Sequence, residues 1–144
     1  MKPSNTGQSI DVRFVGKINT DIYKCITDDM ITDEVIITDV QIKHIKDHHP
    51  NDYERFAKYF AEIIAEPDFI MRGNKPDTAV IMKEIIDNEE RFLVVLRLCT
   101  SKDPAGYKNS IITFMKINKK DGIAIFARKK FFTERNKSVI MYIR

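Results

Sequence analysis

Apolar residues change their spacing twice along the chain. Ile10-Asp11-Val12-Arg13-Phe14 alternates and predicts a short strand. Asn19 and Thr20 are capping residue types and predict a short helix through Cys25 or Ile26. Glu34–Thr38 is a brief apolar run, after which Thr38-Asp39 opens a helix that continues through His48 and stops at Pro50. A second helix is predicted from Asn51-Asp52. There Phe56, Tyr59, Phe60, Ile63 and Ile64 recur at three- and four-residue spacing until Pro67 closes it. The pattern then becomes β-like. Phe69–Met71, Ala79–Ile86, Arg91–Cys99 and Ser110–Ile117 are rich in Ile, Val, Leu and Phe and are separated by turn residues such as Gly73-Asn74-Lys75-Pro76 and Asp103-Pro104-Ala105-Gly106. Links this short favour antiparallel pairing of neighbours. Residues 119–132 fit either helix or strand, and Val139–Ile143 predicts a last strand. The expected architecture is α+β, with N-terminal helices packed on one face of a four- to five-stranded antiparallel sheet whose other face is left for a ligand.

Composition adds limits. The 144 residues are 43% hydrophobic and 31% charged, which predicts one globular domain over 1–144. No run approaches the length of a membrane span, and the first residues lack the apolar core of a signal peptide, so a cytoplasmic protein without membrane contact is expected. Cys25 and Cys99 form no CxxC pair and read as small buried hydrophobes in a reducing compartment. The net charge of +3 divides unevenly: residues 101–144 carry eleven Lys/Arg against three acids, whereas residues 1–100 are net negative. A basic C-terminal third suggests a face for a polyanion.

Two clusters could carry chemistry. All three histidines, His44, His48 and His49, fall within one ten-residue segment. Histidine exchanges protons near pH 7, so His44 and His49 are candidates for general acid–base work. His44 and His48, four apart on a helix, could instead share a metal, but Ile45 stands where HExxH needs its glutamate, and no metal or other cofactor is expected. Capping of a helix end is the plainest role, and it suits His48 best. The second cluster is Tyr107-Lys108-Asn109-Ser110-Ile111-Ile112-Thr113-Phe114. Period-two geometry puts Lys108 and Ser110 on one face, where a phosphate can accept from both. Thr113 reaches that face only through a bulge. Lys83 and Thr78, in the preceding strand, raise the same possibility, while Lys116, Tyr107 and Asn109 are candidate contacts to RNA. Neither GxxxxGKS nor GxGxxG nor GxSxG occurs, which removes the usual nucleotide cradles and the hydrolase elbow.

The order Ile36-Ile37-Thr38, His44-Ile45, His49-Pro50, Pro67-Asp68-Phe69-Ile70, Pro76-x-Thr78 with Lys83, and Lys108-Asn109-Ser110-Ile111-Ile112-Thr113 resembles a nuclease family carried by phages and other mobile elements. That family belongs to the barnase–EndoU–colicin–RelE-like (BECR) superfamily, and the resemblance covers about residues 30–117. Where the family has an Arg before the second histidine, this chain has His48. The resemblance implies a helices-then-sheet fold and a toxin-like, metal-independent endoribonuclease. It implies RNA, tRNA in particular, as substrate, and an immunity protein or antitoxin as a partner. His44, Lys108, Ser110 and Thr113 match its polar signature, followed by Lys83 and His49. The alternatives are a non-catalytic module binding RNA or protein through the basic sheet face, and a structural protein of a mobile element.

Overall fold

A computed structural model of the chain describes residues 11–85, 90–117 and 140–143. Strand β1 (Val12–Lys17) leads to a single helical turn, α1 (Thr20–Tyr23), whose N-cap Asn19 accepts the Asp21 amide at 3.0 Å. Strand β2 (Glu34–Thr38) then runs without a break into helix α2 (Asp39–His48). Thr38 makes this join. Its extended backbone ends the strand, while its side-chain oxygen accepts the Gln41 amide at 3.2 Å.

The helix expected between Asn51 and Pro67 is divided into α3 (Asp52–Phe56), a 3-10 turn (Ala57–Tyr59) and α4 (Phe60–Ala65). Phe56 and Phe60, four apart, keep the same buried side across the division, 4.9 Å from the Phe92 ring and 4.7 Å from the Phe114 ring, respectively.

The remaining strands are β3 (Phe69–Arg72), β4 (Thr78–Ile85), β5 (Glu90–Arg97), β6 (Asn109–Ile117) and β7 (Ile140–Ile143). They join β1 and β2 in one sheet of order β1-β2-β6-β5-β4-β3-β7. This corrects the expected four- to five-stranded antiparallel sheet in two ways. Among the described residues the sheet has seven strands, because β1, β2 and β7 extend the β3–β6 meander at both edges. It is also mixed, since β2 and β6 are parallel, with Val35 beside Asn109 and Ile36 beside Ser110. Asn109 fixes that junction. Its side chain is wholly buried, and its Nδ2 donates to the carbonyls of Thr32 (2.9 Å) and Glu34 (3.0 Å). Its Oδ1 accepts the Cys99 amide at 2.7 Å.

The N-terminal helices cover one face, as expected. Ile42, Ile45, Phe56 and Phe60 pack on Val35, Ile37, Phe92, Val94, Ile111 and Phe114. On the opposite face, Met71, Met82 and Ile117 form a smaller buried cluster at one end. The ambiguous segment 119–132 lies outside the described residues.

Candidate active site

Strand β6 departs from regular pairing at one place. Val94 and Val95 of β5 stand opposite Phe114 and Thr113, but Leu96 and Arg97 stand opposite Ile111 and Ser110, so Ile112 is an extra residue. Ser110 and Thr113 are three apart and would face opposite ways in a regular strand; the bulge puts both on the face turned away from the helices. Opposed residues share a face, so a row runs across the sheet there: Ile36, Ser110, Arg97 and Thr78.

The residue missed by sequence reasoning is Arg97, which reads as one solvated position in an apolar strand. Only its register against Ser110 exposes it as part of the row. Its Nη1 and Nη2 donate to both carboxylate oxygens of Asp103, at 3.2 and 2.8 Å, and Asp103 also accepts the Thr100 amide at 2.9 Å. The guanidinium, and then that amide, hold the Asp103 carboxyl below its usual range, while Asp103 raises the pKa of Arg97. Arg97 is therefore a fixed, oriented cation. Beside it, Lys108 Nζ lies 3.1 Å from Glu34 Oε1, with the side chains 39% and 40% exposed. A pair this open contributes about 0–1 kcal/mol, so an arriving phosphate can take the ammonium over at little cost. Tyr107, in the loop before β6, is exposed.

The histidines lie on α2, which packs against β2 and β6 through Ile42 and Ile45. His44 and His48 are exposed, with ring centroids 4.3 Å apart. His48 Nδ1 hydrogen-bonds the His44 carbonyl oxygen at 2.9 Å, a helix-end contact. His49 is the C-cap: its amide donates to the Ile45 carbonyl at 2.7 Å, and its carbonyl accepts the Asp52 amide at 3.1 Å. Among the described residues, no hydrogen bond or ion pair joins His44 or His49 to Lys108, Ser110 or Thr113. What α2 and the hydroxyls share is strand β6. Also among the described residues, His, Cys, Asp and Glu side chains form no group of three or more able to hold a metal ion.

Three candidates lie on the helix-facing side of the sheet, away from Ser110 and Thr113. Lys83 is 4% exposed, and its Nζ is 4.0 Å from both Glu62 Oε2 and Asp68 Oδ1. Lys116 stands opposite Phe92, with its ammonium 5.8 Å from the centre of the Phe56 ring. Asn109 commits its amide to the backbone contacts already described. Thr78, by contrast, belongs to the polar row, although its hydroxyl donates to the Pro76 carbonyl at 3.1 Å.

A guanidinium, an ammonium and two hydroxyls thus share one face of a helix-backed sheet in an α+β domain. Over residues 11–137 the sequence matches the family described as phage-Barnase-EndoU-ColicinE5/D-RelE like nuclease 2, and the chain belongs to that family. The resemblance read from the motifs is borne out by this match. No curated protein and no solved structure matches the chain. Among the described residues, no helix is long and apolar enough to cross a membrane.

Proposed function

We propose that the chain is a metal-independent endoribonuclease that cuts RNA, tRNA among its substrates, by attack of a ribose 2′-OH on the adjacent phosphate. The product ends are a 2′,3′-cyclic phosphate and a free 5′-OH. The observation that carries this reading is the bulge at Ile112, which gathers Ser110 and Thr113 beside Arg97 and Lys108. These groups would clamp the phosphate oxygens and stabilise the charge that develops as the 2′ oxygen attacks. Dependence on the 2′-OH restricts the reaction to RNA.

His44 is the proposed proton carrier, taking the 2′-OH proton or delivering one to the departing 5′ oxygen, with His49 as the second candidate. Its support is an exposed ring on a helix packed against β6, which among the described residues touches the neighbouring His48 ring and has no hydrogen bond to its ring nitrogens. Such a group contributes typically about 10²–10⁴-fold. Thr113 supports the clamp, and Lys83, buried on the other face, has a structural part instead. A cytoplasmic site of action and a cognate inhibitor, an immunity protein or antitoxin, complete the proposal.

The test is cleavage of total tRNA in EDTA with the product ends mapped. Discrete fragments ending in 2′,3′-cyclic phosphate, lost in Lys108→Ala and in His44→Ala, are expected. RNA retention without cleavage would replace the enzyme with a binding module, and unchanged cleavage by the Lys108→Ala/His44→Ala double variant would overturn the assignment of residues.

A further inference from the structure

The polar row borders a cleft. On the same face, a space of about 630 Å³ opens beneath the turn Gly73–Asp77 that joins β3 to β4. Small-molecule sites occupy about 300–1,000 Å³. The floor is aliphatic: Val80, Val95 and Ile112. These three are only partly buried, although Met82 and Leu93, on the same face nearer its other end, are buried, as is Met71 beside Val80. Val80 packs against the Met71/Met82/Ile117 cluster on one side, while Val95 and Ile112 carry the partly exposed aliphatic surface up to the polar row that holds Arg97. Lys75 and Arg97 supply positive charge around the floor, and Asp77 supplies one carboxylate.

The wall is held in place. Asp77 sits in the left-handed region at φ 58°, and its carbonyl accepts the Leu98 amide at 2.8 Å. The Gly73 amide donates to the Thr78 carbonyl at 2.8 Å, and a Cβ on Gly73 would come within 2.7 Å of the Thr78 side chain. Any side chain at Gly73 would force the turn or Thr78 to shift, and the cleft is formed by the chain alone. It also adjoins the clamp through a shared residue, because Ile112 lies between Ser110 and Thr113. Neighbouring strands are about 4.8 Å apart, so Val95 and Val80 stand about 5 and 10 Å from the β6 hydroxyls, the reach from a phosphate to the base of its own nucleotide.

We infer that this cleft seats the nucleobase adjoining the phosphate held by Arg97, Ser110 and Thr113, with the base lying on Val80, Val95 and Ile112. The inference rests on the ribonuclease reading above and adds a substrate class to it. A base can enter only if it is free of its stack, so the substrate is an unpaired nucleotide in a loop or single strand, and duplex RNA is refused.

Amide NMR of the full chain separates the two claims. Inorganic phosphate should shift the amides of Arg97, Ser110 and Thr113. The four ribonucleoside 3′-monophosphates should shift these and also Lys75, Val80, Val95 and Ile112, and should bind about tenfold more tightly than phosphate. Val80→Phe fills the cleft and should remove most of that advantage while leaving phosphate affinity within about twofold. Val95→Thr, which keeps the branched shape, should weaken nucleotide binding in the same direction without endangering the fold. Nucleotides that bind no better than phosphate and leave the cleft amides unmoved would overturn the inference while leaving the clamp intact. Cutting of duplex RNA as fast as a single-stranded loop would overturn it too. Failure of the ribonuclease reading itself shows separately, as no cleavage of tRNA or of single-stranded RNA by the parent chain in EDTA.

Discussion

Asn109 and Ser110 are neighbours in the chain and opposites in the sheet, so replacing each with alanine should separate stability from chemistry. Asn109→Ala removes three hydrogen bonds from a fully buried position. The Cys99 amide loses its acceptor inside the protein, and an orphaned buried donor costs about 1–3 kcal/mol. Thr32 and Glu34 are half-buried, so their carbonyls recover water, and the two lost bonds together add about 1–2 kcal/mol. The sum is about 2–5 kcal/mol. In a domain of this size that lowers the thermal midpoint by about 6–20 °C, read by circular dichroism. Ser110→Ala, on the other face, should stay within about 0.5 kcal/mol of the parent. Its RNA cleavage should fall about 10²-fold, the usual consequence of losing one donor to transition-state charge. A loss below about 1 kcal/mol for Asn109→Ala would refute the view that this amide holds the parallel junction. Full cleavage by Ser110→Ala would refute the clamp.

The depressed Asp103 carboxyl has a pH signature. Its contribution is present above the unfolded value of about 4 and is lost as pH falls through the lowered folded value, so the midpoints of the parent and Asp103→Asn should differ near pH 6 and converge as the pH falls through that lowered value; a constant gap would contradict the Arg97 pairing. Thr38→Ala removes the α2 cap and should cost about 1 kcal/mol in urea unfolding, with no loss contradicting the 3.2 Å contact. Lys83→Met replaces a buried cation whose carboxylate neighbours are only 4.0 Å away and partly solvated, so stability should change by less than about 1.5 kcal/mol. RNA cleavage by Lys83→Met should match the parent, and its abolition would return Lys83 to the active site.

Local signals were read well from sequence and distant ones were not. Helix α2 follows from Thr38 as cap and Pro50 as stop, both adjacent to the residues they govern. The β3–β6 meander follows from its turn residues. The break at Ala57–Tyr59 escapes periodicity because Phe56, Phe60, Ile63 and Ile64 keep helical spacing on both sides of it. The parallel β2–β6 junction escapes for a similar reason, since Asn109 finds its carbonyls 75 and 77 positions earlier. The possibility that Thr113 joins Ser110 through a bulge was legible in the strand, but its occurrence depends on how β5 pairs with it. Arg97 needed the same register to be noticed.

The β2–β6 junction also sets a timetable for synthesis. Strand β2 cannot acquire its parallel neighbour until β6 has been made, a separation of 75 residues between Glu34 and Asn109. At translation rates of about 5–20 residues per second, the growing N-terminal third waits about 4–15 s for that partner. During this interval Ser110, Thr113 and Lys108 do not yet exist as a surface, and the polar row assembles only once β6 has been made and has paired with β2 and β5.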